Sequence, residues 1–310
     1  MSGSAVGIVG AGAVGQTVAA SLVAAALPGR LLVVSRRPDQ VHGLTADLQD
    51  LAVSARSGTM VEAGEVADLH GCDAVVVALR TDFKNTAARD IRRGGAVANT
   101  PALGALAREL HGFGGTVLVV TNPVDLMARV FAEASGCTRV FGIGSNLDSA
   151  RYRILLARYA QVPPDAVHGH VIGEHGDRAV VCASTTTVAS RPVDVPVRTV
   201  VEELQRRPAL IRTGIGRTRC GPAGAVLSAL RMTLGLADGI EELSVPYGDV
   251  WLGLPLRFNG GQAVPCLPPL TRSERLRLDS AASSLRDAYT AIVGHAPWPQ
   301  PSALTRSRSE

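Results

Sequence analysis

The sequence predicts an α/β protein. A doubly wound parallel sheet is expected over residues 1–145, a mixed α+β half over 146–295 and a disordered tail over 296–310. Three observations carry that expectation. Short apolar runs alternate with helical stretches up to about residue 145, the pattern of strands joined by crossover helices. The first run leads directly into a glycine-rich turn and a helix. Beyond residue 146 apolar runs follow one another with fewer helices between them, as in antiparallel sheet.

Residues 5–9 (AVGIV) are the first strand. They run into Gly10, Gly12 and Gly15, spaced G-x-G-x-x-G, and then into a helix over 16–26. That motif between a strand and a helix marks a Rossmann-type dinucleotide site. Gly10 allows the tight turn, Gly12 lets the backbone approach a pyrophosphate, and Gly15 lets helix and strand pack closely. The helix start offers free N–H groups to phosphate, so Ala13 and Val14 join the glycines as cofactor-binding candidates.

Pro28-Gly29 ends the helix, and residues 31–34 form the second strand. An NAD enzyme carries an acidic residue about 20 positions past the glycines, on the adenosine ribose. Here Ser35-Arg36-Arg37 stands in that place. A carboxylate would repel a 2′-phosphate, whereas a serine and two guanidiniums attract it. NADP(H) is therefore the expected cofactor. The alternative is NAD(H) bound without the acidic contact, with both arginines solvated.

Residues 44–51 read as helix, 60–63 as a short strand, and 73–79 (DAVVVAL) as a strand buried on both faces, with Ala78 near the cofactor. The polar stretch 80–93 is expected to be a mobile loop leading into a helix, followed by a helix over 100–110. The strand over 116–120 ends at Thr121-Asn122-Pro123, at the carboxyl edge where open α/β sheets bind ligands. A helix over 125–134 and a strand over 140–143 complete the first half. The second half reads as a helix over 148–159, strands over 166–172, 179–184 and 186–189, and a helix over 198–206 ending at Pro208. A helix over 224–236 follows, then strands over 244–252, 254–259 and 262–264 with a turn at Asn259-Gly260-Gly261, and a final helix over 271–293.

Composition narrows the function classes. Hydrophobic residues make up 46% of 310, enough for a sizeable core. The net charge of +4 is spread out and the arginines are scattered, so no nucleic-acid footprint is present. Five cysteines (72, 137, 182, 220 and 266) are widely spaced with no C-x-x-C, which argues for free thiols in a reducing compartment and against a metal site. There is no basic leader and no uncharged apolar run of the roughly 20 residues that a membrane helix needs, so a cytoplasmic protein is expected.

Gly173-Glu174-His175-Gly176-Asp177 interrupts the apolar run over 167–183, where flanking glycines free the backbone to turn the imidazole into a cleft. Asp148 is a candidate to hold that ring and Arg151 to hold a carboxylate, three positions apart on one helical face.

With GAGAVG at 10–15, ADLQD at 46–50, TNPVDL at 121–126, LDSAR at 147–151 and IGEHGD at 172–177 in order, the chain resembles the L-lactate/L-malate dehydrogenase family over nearly its whole length. The resemblance implies hydride transfer between a nicotinamide and C2 of a small-molecule 2-oxo or 2-hydroxy acid, in a homodimer or homotetramer. It casts His175 as proton donor and acceptor, Asp148 as the carboxylate orienting it, and Arg151 as the grip on the substrate carboxylate. Asn122 then touches nicotinamide and substrate, and Thr218 lines the substrate pocket. Arg89 is placed as the loop arginine that polarises the carbonyl, with Arg92 or Arg93 as alternatives. The substrate-selecting position falls on Phe83, which predicts a bulkier, apolar 2-oxo acid. A one-residue slip would put Lys84 there instead, as a cation for an acidic side chain; a separate alternative is that Phe83 only seals the closed loop against water. The family's asparagine seven positions past the loop arginine is replaced by Ala96, with Asn99 nearby. An NAD-linked malate or lactate dehydrogenase and a non-catalytic cofactor-binding homologue are the competing expectations.

Overall fold

The structure, a computed structural model, describes residues 3–83 and 95–295. In chain order the elements up to the middle are β1 (Ala5–Val9), α1 (Ala13–Ala24), β2 (Arg30–Val34), α2 (Pro38–Ser54), β3 (Met60–Ala63) and β4 (Ala74–Val77). They continue with α3 (Ala96–Glu109), β5 (Thr116–Val119), α4 (Val124–Ser135) and β6 (Val140–Gly142). The six strands are parallel in the order β3-β2-β1-β4-β5-β6. Every residue of β4 and β5 is buried, as a parallel strand with helices on both faces requires. The order reverses between β1 and β4, which opens a crevice at their carboxyl ends.

The second half holds α5 (Ser145–Ala160), β7 (Val167–His168), β8 (Val171–Gly173), β9 (Ala179–Val181), β10 (Thr187–Val188) and β11 (Arg191–Pro192). Then come α6 (Val197–Ile215), α7 (Cys220–Thr233), β12 (Gly239–Tyr247), β13 (Val250–Asn259), β14 (Gln262–Pro265) and α8 (Arg272–His295). Among the described residues the main sheet does not stop at β6. Ser244 of β12 pairs antiparallel with Gly142, and β13, β8 and β9 extend the sheet beyond it. Strands β11, β10 and β7 form a separate small sheet.

Several expected boundaries are corrected. The run over 166–172 is two strands, β7 and β8, in different sheets. Helix α2 begins at Pro38 rather than residue 44, because proline suits the first helical position and Asp39 suits the positive end. Helix α7 begins at Cys220 rather than 224, since a proline at 222 is tolerated in a first turn. Helix α6 runs through Pro208 to Ile215 instead of ending there. Only Val200 of α6 is buried, so water can satisfy the carbonyl that Pro208 leaves unbonded. The break expected at Gly253 lies instead at Gly248, which has φ +60. Gly253 sits inside β13, where a Cβ would stand 1.7 Å from Ser145 Oγ. It is a close-approach glycine, not a turn glycine.

Candidate active site

The glycine turn after β1 is a cradle with one open side. Gly10 has φ +113, and a Cβ there would meet Ala78 O at 2.7 Å. A Cβ on Gly15 would lie 1.8 Å from Gly10 O, so only glycine lets α1 sit against the turn. A Cβ on Gly12 would meet nothing within 4 Å. Helix α1 starts there with no side-chain cap, which leaves first-turn N–H groups facing open space. This is the shape and polarity that a pyrophosphate needs.

The cradle opens into a cleft of about 1310 Å³. Ser35, Arg36 and Arg37 line it past the end of β2, with Gln40 and His42 of α2 alongside. Ala78 and Phe83 line its other flank. Ser35 is half-buried and both arginines are exposed. The hydroxyl of Thr121 donates to Leu79 O at 2.8 Å, so this residue ties two strand ends together. Phe83 lies under the Arg80 guanidinium, 4.8 Å from its ring centroid, and packs against Gly95, where a Cβ would come within 2.7 Å of the ring. Lys84, Arg89, Arg92 and Arg93 lie outside the described residues.

The imidazole of His175 has a definite seat. Gly173 ends β8 with φ +86, and the chain turns out of the ladder there. Nδ1 of His175 donates to Asp148 Oδ2 at 2.6 Å, and Arg151 Nη1 donates to Asp148 Oδ1 at 3.2 Å. Asp148 and Arg151 come from adjacent turns of α5 and reach one another as their spacing predicts. His175, Asp148 and Arg151 are 8%, 7% and 5% exposed, so the set is shielded from water. Asn122, at the end of β5, is exposed, and its carbonyl accepts from Asn99 Nδ2 at 3.0 Å. Asn99 Oδ1 also accepts from Thr81 N at 3.0 Å, which links Asn122 to the Phe83 flank of the cleft. Thr218 lies half-buried between α6 and α7, and its neighbour Arg217 is the one that lines the cleft.

Two contacts of the histidine were not anticipated from the sequence. A Cβ on Gly144 would lie 2.4 Å from His175 Cγ, so the ring rests on a glycine. Asp125, inside the TNPVDL stretch, accepts the His175 backbone N–H at 2.8 Å. Burial pushes the Asp125 carboxyl up from 3.8 to about 6, opposed by the Ser244 hydroxyl and the His175 amide. Asp125 Oδ1 and Ser244 Oγ each lack a partner in hydrogen-bond geometry among the described residues, although the hydroxyl is close enough to favour the ionised carboxylate.

A carboxyl whose folded value lies above its unfolded one stabilises the fold most at low pH. That contribution is lost as pH rises through the window from 3.8 to about 6. Asp125→Asn is therefore expected to raise the melting temperature near neutral pH, by a gain of roughly 3 kcal/mol at most. Melting curves at about pH 7.5 and about pH 5 check this, with the gap narrowing at the lower pH. A variant less stable than the native chain at both pH values contradicts it.

The strand order, the glycine cradle and the uncapped helix start together define a dinucleotide-binding α/β fold with a buried histidine–carboxylate–arginine set beyond the sheet's midpoint. The family described as lactate/malate dehydrogenase matches in two parts, its NAD binding domain over residues 4–142 and its alpha/beta C-terminal domain over 145–212. The chain belongs to the lactate/malate dehydrogenase family. It is 30% identical to an L-lactate dehydrogenase of Staphylococcus epidermidis, over 94% of this chain and 98% of that protein. It is 28% identical to an L-lactate dehydrogenase of Allorhizobium ampelinum, over 93% and 99%. The fold is similar to that of a lactate dehydrogenase from a deep-sea metagenome library, with a TM-score of 0.87 and 24% identity over 94% and 99%. It is also similar to Cryptosporidium parvum malate dehydrogenase, with a TM-score of 0.85 and 20% identity over 93% and 98%.

Proposed function

We propose that the chain moves a hydride between a nicotinamide dinucleotide and C2 of a 2-oxo or 2-hydroxy acid, with NADP(H) preferred and an apolar side chain on the acid. The observation that carries this reading is the His175 Nδ1 to Asp148 Oδ2 pairing at 2.6 Å, with Arg151 on the same carboxylate. Bound in the cleft, the dinucleotide supplies the hydride. With Nδ1 held by Asp148, Nε2 is the ring atom that exchanges a proton with the substrate oxygen. It takes the proton from a 2-hydroxy group and returns it to a 2-oxo oxygen. The negative charge of Asp148 offsets the imidazolium that forms when the alcohol is oxidised. Arg151 supplies the planar fork that fits a substrate carboxylate. Asn122, at the carboxyl end of β5, is assigned to meet nicotinamide and substrate, and Thr218 is assigned to the pocket wall. The division at about residue 145, cofactor before and substrate after, belongs to the same proposal. So do a homodimeric or homotetrameric assembly, the loop role of Arg89 and a cytoplasmic location. Among the described residues no helix is long and apolar enough to cross a membrane.

The cofactor preference is supported by Ser35, Arg36 and Arg37 lining the cleft where an NAD enzyme presents a carboxylate. The substrate preference is supported by Phe83, an apolar ring on the cleft wall. A second reading, an NAD-dependent lactate or malate dehydrogenase, is favoured by the match to an NAD binding domain and by the L-lactate dehydrogenase relatives. Steady-state rates with NADPH and NADH, for the native chain and for Ser35→Asp, separate the two. The native chain is expected to favour NADPH in kcat/KM. Ser35→Asp, which sets a like charge against the 2′-phosphate, is expected to reverse that preference by about 10- to 100-fold. Equal or better turnover of the native chain with NADH supports the second reading.

A further inference from the structure

We propose that Asp125 is a positioning residue: its carboxylate anchors the main chain of His175, so that the imidazole is aimed independently of the grip of Asp148 on the ring. This rests on the reading of His175 as the proton-exchanging group. Asp125 lies in the first turn of α4, three residues after Asn122, and is 3% exposed. Its Oδ2 accepts the His175 N–H at 2.8 Å, across 50 positions of sequence.

The need for such an anchor follows from the local backbone. The β8–β9 ladder ends at the Gly173 to Ala179 pair, two residues short of the histidine. Past that point the strand gives His175 N no partner, and a side chain from another element supplies it. A buried amide left without an acceptor would be costly. A neutral acceptor would satisfy it as well, yet the chain keeps a carboxylate whose burial opposes ionisation. Among the described residues the titratable groups facing Asp125 are both on the segment after β8: His175 favours its ionised form and Glu174 opposes it. From β12 it faces only the Ser244 hydroxyl among these groups.

The histidine is thus held at two points from two helices. Asp148 of α5 takes Nδ1, and Asp125 of α4 takes the backbone amide. The first turn of α4 also follows directly on Asn122, whose carbonyl is tied through Asn99 to Thr81. One helical turn therefore separates Asn122 from the carboxylate that holds His175, and both Asn122 and His175 must meet the same substrate under the proposed function.

The test compares Asp125→Ala, Asp125→Asn and His175→Asn. It reads kcat, KM for the 2-oxo acid, and NADPH affinity by cofactor fluorescence. Asp125→Ala is expected to lower kcat about 100-fold, as an ångström-scale misplacement does, with KM and NADPH affinity changed less than about threefold. Asp125→Asn keeps an acceptor oxygen and is expected to recover at least about tenfold of that loss. Where the alanine chain does not fold, Asp125→Leu fills the space without an acceptor and makes the same comparison. The proposal is overturned if the alanine or leucine variant keeps kcat within about threefold of native, or if asparagine is no better than either, while His175→Asn is inactive. Native activity in His175→Asn overturns the reading of the site itself, and this proposal with it.

Discussion

Replacing His175 with asparagine is expected to lower kcat/KM about 10³-fold while leaving cofactor affinity unchanged. Asparagine is close in size and can still donate to Asp148 Oδ2, so the fold and the buried carboxylate keep a partner. What it lacks is a ring nitrogen that can take up a proton from the substrate oxygen and return it. The imidazole is 8% exposed and rests on Gly144, so water has little room to take over the proton transfer. Single-turnover mixing with bound NADPH separates the two contributions: the binding step stays and the chemical step slows. An asparagine variant within tenfold of native kcat/KM contradicts the assignment.

Arg151→Gln is expected to lower kcat/KM for the 2-oxo acid by about 10²- to 10³-fold, mostly through KM. Two parallel N–H donors on a carboxylate in a water-poor site bind far more strongly than an exposed pair. Arg151 is 5% exposed, and its Nη1 donates to Asp148 Oδ1 at 3.2 Å. Glutamine keeps one N–H donor group but neither the charge nor the fork. Arg151→Lys is expected to recover only a small part of the loss, because a point charge does not reproduce the planar geometry. Kinetics with a series of 2-oxo acids check this, and the loss should be similar for every acid that shares the carboxylate. A loss confined to one substrate contradicts the assignment, since it would place Arg151 at the variable side chain instead.

Much of this arrangement is legible in the chain itself. The strands β1, β4 and β5 are continuous apolar runs because both of their faces are covered, and that pattern needs no partner to be read. The glycine cradle is legible because each glycine answers a close approach within one short turn. Asp148 and Arg151 share a face because three residues on a helix bring them there.

What was not legible depends on contacts between distant segments. Asp125 meets His175 only because α4 and the end of β8 converge, and nothing local in TNPVDL announces an amide partner 50 residues on. Gly253 looks like a turn residue until Ser145 is seen packed against it. Pro208 looks like a helix stop, yet it is carried within α6, where only Val200 is buried. Local propensity marks the glycine and the proline as special. Only tertiary contact says in what way.

The most direct measurement is the oxidation of NADPH and NADH against a panel of 2-oxo acids, from pyruvate to aromatic and dicarboxylic ones, by the native chain and by His175→Asn in parallel. Turnover with at least one bulky apolar 2-oxo acid is expected, faster with NADPH, and it is lost in the variant. Tight binding of either dinucleotide with no turnover of any 2-oxo acid would contradict it.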